Sequence, residues 1–246
     1  MSASVLTHLA DNGVLTITMN RPAVLNSLDE SLTLGLVDAM HEAKTDSAVR
    51  AVVITGAGRA FCAGADLNAR SWPAVKGVSA GEATAANMER GFNPLVKAVA
   101  QSTKPVVTAI NGVAAGGGVG LALAGDIAIA AETAKFKLVF GPNLGIIPDM
   151  GASWFLPNLV GRARANGLAL LGDNLSASDA KAWGLIWDCV ADEDLLPTAS
   201  TLAGRLADGP TAGLKAVVKA HDRALSNTLS EQLAVSYTHL TLPTKC

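Results

Sequence analysis

Ile110-Asn111-Gly112-Val113-Ala114-Ala115-Gly116-Gly117-Gly118-Val119-Gly120-Leu121 joins an apolar run to a stretch with helical spacing, and its reading decides the fold. Five glycines fall between Gly112 and Gly120. With so few side chains the backbone can approach another segment closely, and N–H groups at a helix start lack intrahelical partners. Two uses fit equally: close packing of helix on strand, or a cradle for negative charge, which aligned peptide dipoles favour at that end.

Outward from this turn, Pro105 to Ile110 reads as a strand before it, Val119 to Ala124 as a helix after it, and Asp126 to Ala130 as the next short strand. The same order occurs earlier. Val49 to Thr55, apolar apart from Arg50 and Thr55, reads as a strand buried on both faces. It runs into a second glycine loop, Gly56-Ala57-Gly58-Arg59-Ala60-Phe61-Cys62-Ala63-Gly64-Ala65-Asp66-Leu67. Upstream, Val14 to Met19 alternates as a half-buried strand. Ser27 and Glu30 have capping-box spacing, and Leu32, Leu36, Val37 and Met40 carry a helix from Asp29 to Lys44.

Pro73, Gly77 and Gly81 mark residues 72 to 81 as a mobile segment, and Gly91 and Pro94 predict a break in the helix from Glu82 to Gln101. Phe136 to Phe140 reads as a further strand. Gly145 to Asp149 leads into a helix with Trp154, Phe155 and Leu156, and helices follow at Arg162 to Leu171, Ser176 to Trp183, Asp194 to Ala207 and Pro210 to Leu225. Alternating strands and helices followed by helices alone predict an α/β fold with a helical C-terminal region.

A chain of 246 residues, 50% hydrophobic and 16% charged, buries a sizeable core in a soluble globular protein. Its formal net charge of -2 supplies no field for nucleic acid or an anionic membrane. Cys62, Cys189 and Cys246 have neither metal-ligand spacing nor an even count, which fits a reducing cytoplasm. His8, His41, His221 and His239 form no metal-ligand cluster, and no apolar run approaches membrane-spanning length.

Neither glycine loop matches G-x-G-x-x-G, and no G-x-x-x-x-G-K-[ST] exists, which argues against dinucleotide and P-loop nucleotide sites. Gly77-Val78-Ser79-Ala80-Gly81 matches a hydrolase elbow literally, but no buried strand precedes it, so it reads as a surface loop. Two loops and an isolated acid in Pro148-Asp149 remain. Two N–H groups converging on a carbonyl oxygen would stabilise an enolate, and one carboxylate above the neighbouring carbon would move a proton. Spacing alone favours a helix N-cap for Asp149, and caps or structural partners for Asp66 and Asp126.

At these residues the chain resembles the crotonase superfamily, the enoyl-CoA hydratase/isomerase family, over roughly Val5 to Leu233. The loops at 56–67 and 111–126 look like its two oxyanion loops. The resemblance implies a ββα superhelical spiral over residues 1–190, a C-terminal helical region over 191–234, and assembly as a homotrimer or hexamer. It implies that the Ala65 and Gly117 N–H groups bind the thioester oxygen of an acyl-CoA, and that the backbone at Val24, Leu25 and Ala63 meets the coenzyme. No metal or redox cofactor is implied; coenzyme A enters as part of the substrate. Val235 to Thr244 has no counterpart in the family and reads as a translated sequencing adapter, so residues 235–246 are expected to be a non-native tail.

Family hydratases carry two glutamates, where this chain has Gly120 and, within one residue, Gly141. Asp149 instead matches the acid of several isomerases. Ile147 to Pro157 and Ala182-Trp183-Gly184-Leu185 look most like the ring-opening epoxyphenylacetyl-CoA isomerases and the related enoyl-CoA isomerases. The resemblance thus implies an acyl-CoA isomerase with Asp149 as acid/base and Phe140, Pro142, Trp154 and Phe155 as acyl-pocket walls. A hydratase or thioester hydrolase of the same fold, and a non-catalytic acyl-CoA-binding protein, are the alternatives.

Overall fold

The computed structural model describes residues 3–68, 72 and 77–240. In chain order its elements are β1 (Val5–Leu9), β2 (Val14–Met19), α1 (Glu30–Thr45), β3 (Ala51–Gly56), β4 (Ala60–Cys62), α2 (Ala80–Asn87), α3 (Asn93–Ala100), β5 (Val106–Ile110), β6 (Val113–Ala115) and α4 (Gly117–Leu123). There follow β7 (Ile127–Ala131), β8 (Lys135–Lys137), α5 (Ala152–Leu171), β9 (Asn174–Ser176), α6 (Ala177–Ala182), β10 (Asp188–Val190), α7 (Leu195–Ala207), α8 (Thr211–Ala224) and α9 (Leu229–Leu240).

Two sheets organise them, with strand orders β1-β2-β3-β5-β7-β10 and β4-β6-β8-β9. The pairs β3/β4, β5/β6 and β7/β8 each lay one strand in the first sheet and the next in the second, so the chain winds as a spiral. Its central neighbours are parallel, with Val52 beside Val106 and Val107 beside Ile127. All of β3 is buried, as its apolar run predicts. Leu32, Leu36 and Met40 of α1, Leu95 and Val99 of α3, and Leu195, Ala199 and Ala203 of α7 complete the core. Removing such side chains from water contributes about 1.5–3 kcal/mol for each large aliphatic one.

Several local expectations change. Asp29, not Ser27, caps α1: its side chain accepts from the Leu32 N–H (2.8 Å), while Ser27 Oγ donates to the Val24 carbonyl. The helix from Glu82 breaks as predicted, through a π-helical turn at Met88–Phe92 in which Gly91 leaves room for Trp72. The strand expected at Phe136 to Phe140 is shorter, because Phe140–Leu144 forms another π-helical turn. The two helices expected around Trp154 and Arg162 are the halves of α5, separated at Gly161 (φ 76°). Beyond the last predicted helix, α9 runs from Leu229 to Leu240, into the stretch expected to be a non-native tail. Of the segment expected to be mobile, residues 73–76 lie outside the described residues.

Asp126 is the structural partner that its position suggested. Its Oδ2 accepts from the Val106 N–H (2.8 Å), and its Oδ1 pairs at 2.6 Å with Lys215 Nζ from α8, both side chains being buried. This ion pair ties a C-terminal helix to the start of β5.

Candidate active site

The glycine loops meet backbone to backbone. A Cβ on Gly112 would lie 2.2 Å from the Arg59 carbonyl oxygen, and one on Gly118 would lie 2.1 Å from that of Cys62. From the other side, a Cβ on Gly64 would lie 3.1 Å from the Gly117 nitrogen. Close packing therefore accounts for most of these glycines and brings Ala65, next to Gly64, towards Gly117.

Asn26, Asn111 and Arg21 fix the first loop through their side chains. Asn26 Oδ1 accepts from the Arg21 N–H (2.9 Å), and its Nδ2 donates to the Ala57 and Ala60 carbonyls (3.0 and 2.8 Å). Asn111 Oδ1 accepts from the Gly56 N–H (3.1 Å), and its Nδ2 donates to the Gly58 carbonyl (2.9 Å). Arg21 pairs with Asp29 and Asp66, each at 3.1 Å, which makes Asp66 structural too. Sequence reading missed Asn26 and Arg21 as loop supports. Their long-range partners give no periodic signal.

Ala65 forms a parallel bridge with Leu28. The Leu28 N–H donates to Gly64 O (2.8 Å) and the Asp66 N–H to Leu28 O (3.0 Å), which leaves the intervening Ala65 N–H directed away from the bridge. Gly117 opens α4, where an N–H has no intrahelical acceptor. Among the described residues neither group donates a hydrogen bond. Because α4 has only seven residues, local donors matter here more than a long helix dipole.

Asp149 Oδ1 is buried without a hydrogen-bond partner among the described residues, 3.4 Å from the place a Cβ on Gly117 would occupy. Burial pushes its carboxyl pKa up to about 6, with its own backbone N–H opposing the shift. The N-cap expectation for its side chain is overturned. Gly151, in the left-handed region at φ 78°, is the cap residue of α5, and the Ala152 N–H donates to the Asp149 main-chain oxygen (2.9 Å). Met150 and Gly151 are both left-handed, which turns the Asp149 side chain out of the capping position.

The positions that lack glutamates are physically closed. A Cβ on Gly120 would lie 2.2 Å from the Met150 carbonyl oxygen, and one on Gly141 would lie 2.8 Å from that of Ala169. The first leaves no room for a side chain while the turn at 149–151 holds.

Phe140 is buried with its Cζ 3.9 Å from the Cβ position of Gly116, and half-buried Phe155 packs on Gly151. Trp154 is half exposed, edge-on to Phe155 with ring centroids 5.1 Å apart. Pro142 is exposed and sits against Gly172 at the end of α5. The structure thus gathers Phe140 and Phe155 around the glycine–aspartate junction and sets Trp154 and Pro142 further out. Val24 is exposed, Leu25 is left-handed (φ 55°), and the Ala63 N–H is taken by the Leu25 carbonyl at 3.0 Å. Leu67, Leu144, Ile146 and Ile147 are exposed apolar residues that sequence reading did not single out.

The surroundings of Cys62 and Ser79 argue against either as a nucleophile. The Cys62 thiol is buried, which pushes its pKa up to about 12 even though it accepts from the Gly64 N–H. Ser79 caps α2 in a capping box with Glu82, in keeping with a loop-to-helix boundary and not an elbow. Among the described residues no group of three or more His, Cys, Asp or Glu side chains is placed to hold a metal ion, and no helix is long and apolar enough to cross a membrane.

A spiral of two mixed sheets with C-terminal helices, its glycine loops abutting, is the α/β crotonase fold. Residues 10–245 match the family described as enoyl-CoA hydratase/isomerase. The 1,2-epoxyphenylacetyl-CoA isomerase of Escherichia coli (strain K12) is 47% identical, over 95% of this chain and 87% of that protein. The crystal structure of an enoyl-CoA hydratase from Bacillus anthracis superposes with a TM-score of 0.86 at 32% identity, covering 96% of this chain and 88% of that one. A monofunctional enoyl CoA isomerase from M. smegmatis gives 0.78 at 29%, covering 94% and 99%. The chain belongs to the enoyl-CoA hydratase/isomerase family.

Proposed function

We propose that this protein is an acyl-CoA isomerase that shifts a double bond, or opens an epoxide, in an acyl-CoA thioester. The observation that carries this reading is the half-buried Asp149 carboxylate, whose Oδ1 is buried without a hydrogen-bond partner among the described residues and lies beside Gly117. The Ala65 and Gly117 N–H groups polarise the thioester oxygen, and the charge that develops there is largest in the enolate, so they lower the barrier to forming it. For a 3-enoyl thioester, Asp149 takes a proton from C2 and returns it at C4, leaving the 2-enoyl product. Its raised pKa makes it a stronger base than an ordinary aspartate, and one group serves both transfers.

The closed space at Gly120 supports isomerisation over hydration, because two-carboxylate water addition has nowhere to place its first acid. The similarity to an epoxyphenylacetyl-CoA isomerase supports the same choice. A panel of unsaturated and epoxidised acyl-CoA esters, with product identification, tests it. Isomerised product that disappears in Asp149→Asn is expected; a hydroxyacyl product or a free acid would favour the hydratase or hydrolase, and acyl-CoA binding without turnover would favour a binding protein.

A further inference from the structure

We propose that Met150 is a positioning residue that holds the Asp149 carboxylate at its working distance from Gly117. The inference rests on the isomerase reading above. Gly117 and Gly120 lie one turn apart on the same face of α4 and form a notch. Met150 fills it twice over. Its Sδ and Cγ lie 2.6 and 3.2 Å from the Cβ position of Gly117, and its carbonyl oxygen lies 2.2 Å from that of Gly120. The residue immediately before it is Asp149, so a fixed Met150 fixes the root of the carboxylate.

The backbone pays for this placement. Met150 has φ 49°, a left-handed conformation that a non-glycine residue keeps only when its surroundings over-determine it. Here the surroundings are the notch, and the side chain that occupies it is 2% exposed. An unbranched thioether suits such a gap, since it bends to an irregular shape without the crowding a β-branched side chain would meet. Its Sδ and Asp149 Oδ1 lie 2.6 and 3.4 Å from the same point beside Gly117, so the side chain covers that flank of the carboxylate oxygen. Emptying the notch would leave the carboxylate free to swing and to hydrate.

The experiment compares Met150→Ala, Met150→Gly, Met150→Leu and Asp149→Asn on a 3-enoyl-CoA thioester, reading kcat, KM and the pH profile of kcat. Met150→Gly removes the side chain while accepting the left-handed backbone, so it reports on positioning even where Met150→Ala folds poorly. Both truncations are expected to lower kcat by about 10- to 100-fold, as small misplacements of a catalytic group do. KM should stay within about threefold, since the interaction lost is made in the transition state. The inflection of the pH profile should move down toward an ordinary carboxylate, and Met150→Leu, which refills the notch, should restore kcat and inflection together. If Asp149→Asn is inactive while the truncated variants keep kcat and the same inflection, Met150 is merely packing and the proposal falls. If Asp149→Asn retains turnover, the isomerase reading itself falls, and the proposal with it.

Discussion

Asp149 Oδ1 stands 3.4 Å from the point where a Cβ on Gly117 would be, so the carboxylate lies against the first residue of α4. Neither can be altered without changing the surroundings of the other.

Activity should therefore titrate with Asp149. The working form is the carboxylate, and its pKa is raised to about 6. Steady-state rates on a 3-enoyl-CoA ester should rise about tenfold per pH unit below that value and level off above it. A rate independent of pH between 4 and 6 would remove Asp149 as the base.

The same group should affect stability in the opposite sense. The carboxyl binds its proton more tightly in the folded chain, with a pKa of about 6, than at its ordinary value of 3.8. The folded state therefore holds the extra proton between these values, and stability falls as pH rises through that window. Asp149→Asn, which cannot ionise, should gain on the parent as pH rises from 4 to 6 and keep that gain above 6. Thermal unfolding across this range measures it.

At position 117 the donor is the point of interest. Gly117→Pro removes the N–H and should lower turnover by about 10²- to 10³-fold while acyl-CoA binding persists. Retained turnover, measured with acyl-CoA affinity as a control, would rule out this donor.

Position 120 should behave differently, because its neighbour is backbone. Gly120→Ala would drive a Cβ into the Met150 carbonyl and should destabilise by about 1–3 kcal/mol. Gly120→Glu is expected to lose more and to gain no hydratase activity. Urea unfolding and product analysis check the two halves of this statement.

Away from the site, Lys215→Met strands the buried Asp126 carboxylate and should cost about 3–5 kcal/mol. Burial already raises the Asp126 pKa, with Lys215 holding it down, so loss of the lysine raises it further. Adding Asp126→Asn to that variant should recover most of the loss in urea unfolding.

The apolar runs of β3 and β5, the glycine loops and the prominence of Asp149 were legible in the sequence because each is a local pattern. The strands β4 and β6 were not, since three residues are too few to display a period. Asp29 competes as a cap with Ser27 two residues earlier, and spacing does not separate them. Lys215 lies 89 residues from Asp126, and no local signal announces the pair. The role of Met150 depends on a positive φ, which residue type would argue against. Asp149 illustrates both sides: its position was readable, while its lack of a capping bond followed from the turn after it.

The spiral divides the site among its windings. Ala65 follows the first pair of strands, Gly117 the second, and Asp149 the third. In the proposed mechanism the acid thus belongs to one winding and the two carbonyl donors to the other two, so the acid's winding can be changed without rebuilding the donors. The wedge between Met150 and the glycines of α4 limits that freedom, because a new acid at position 120 requires the third winding to withdraw first.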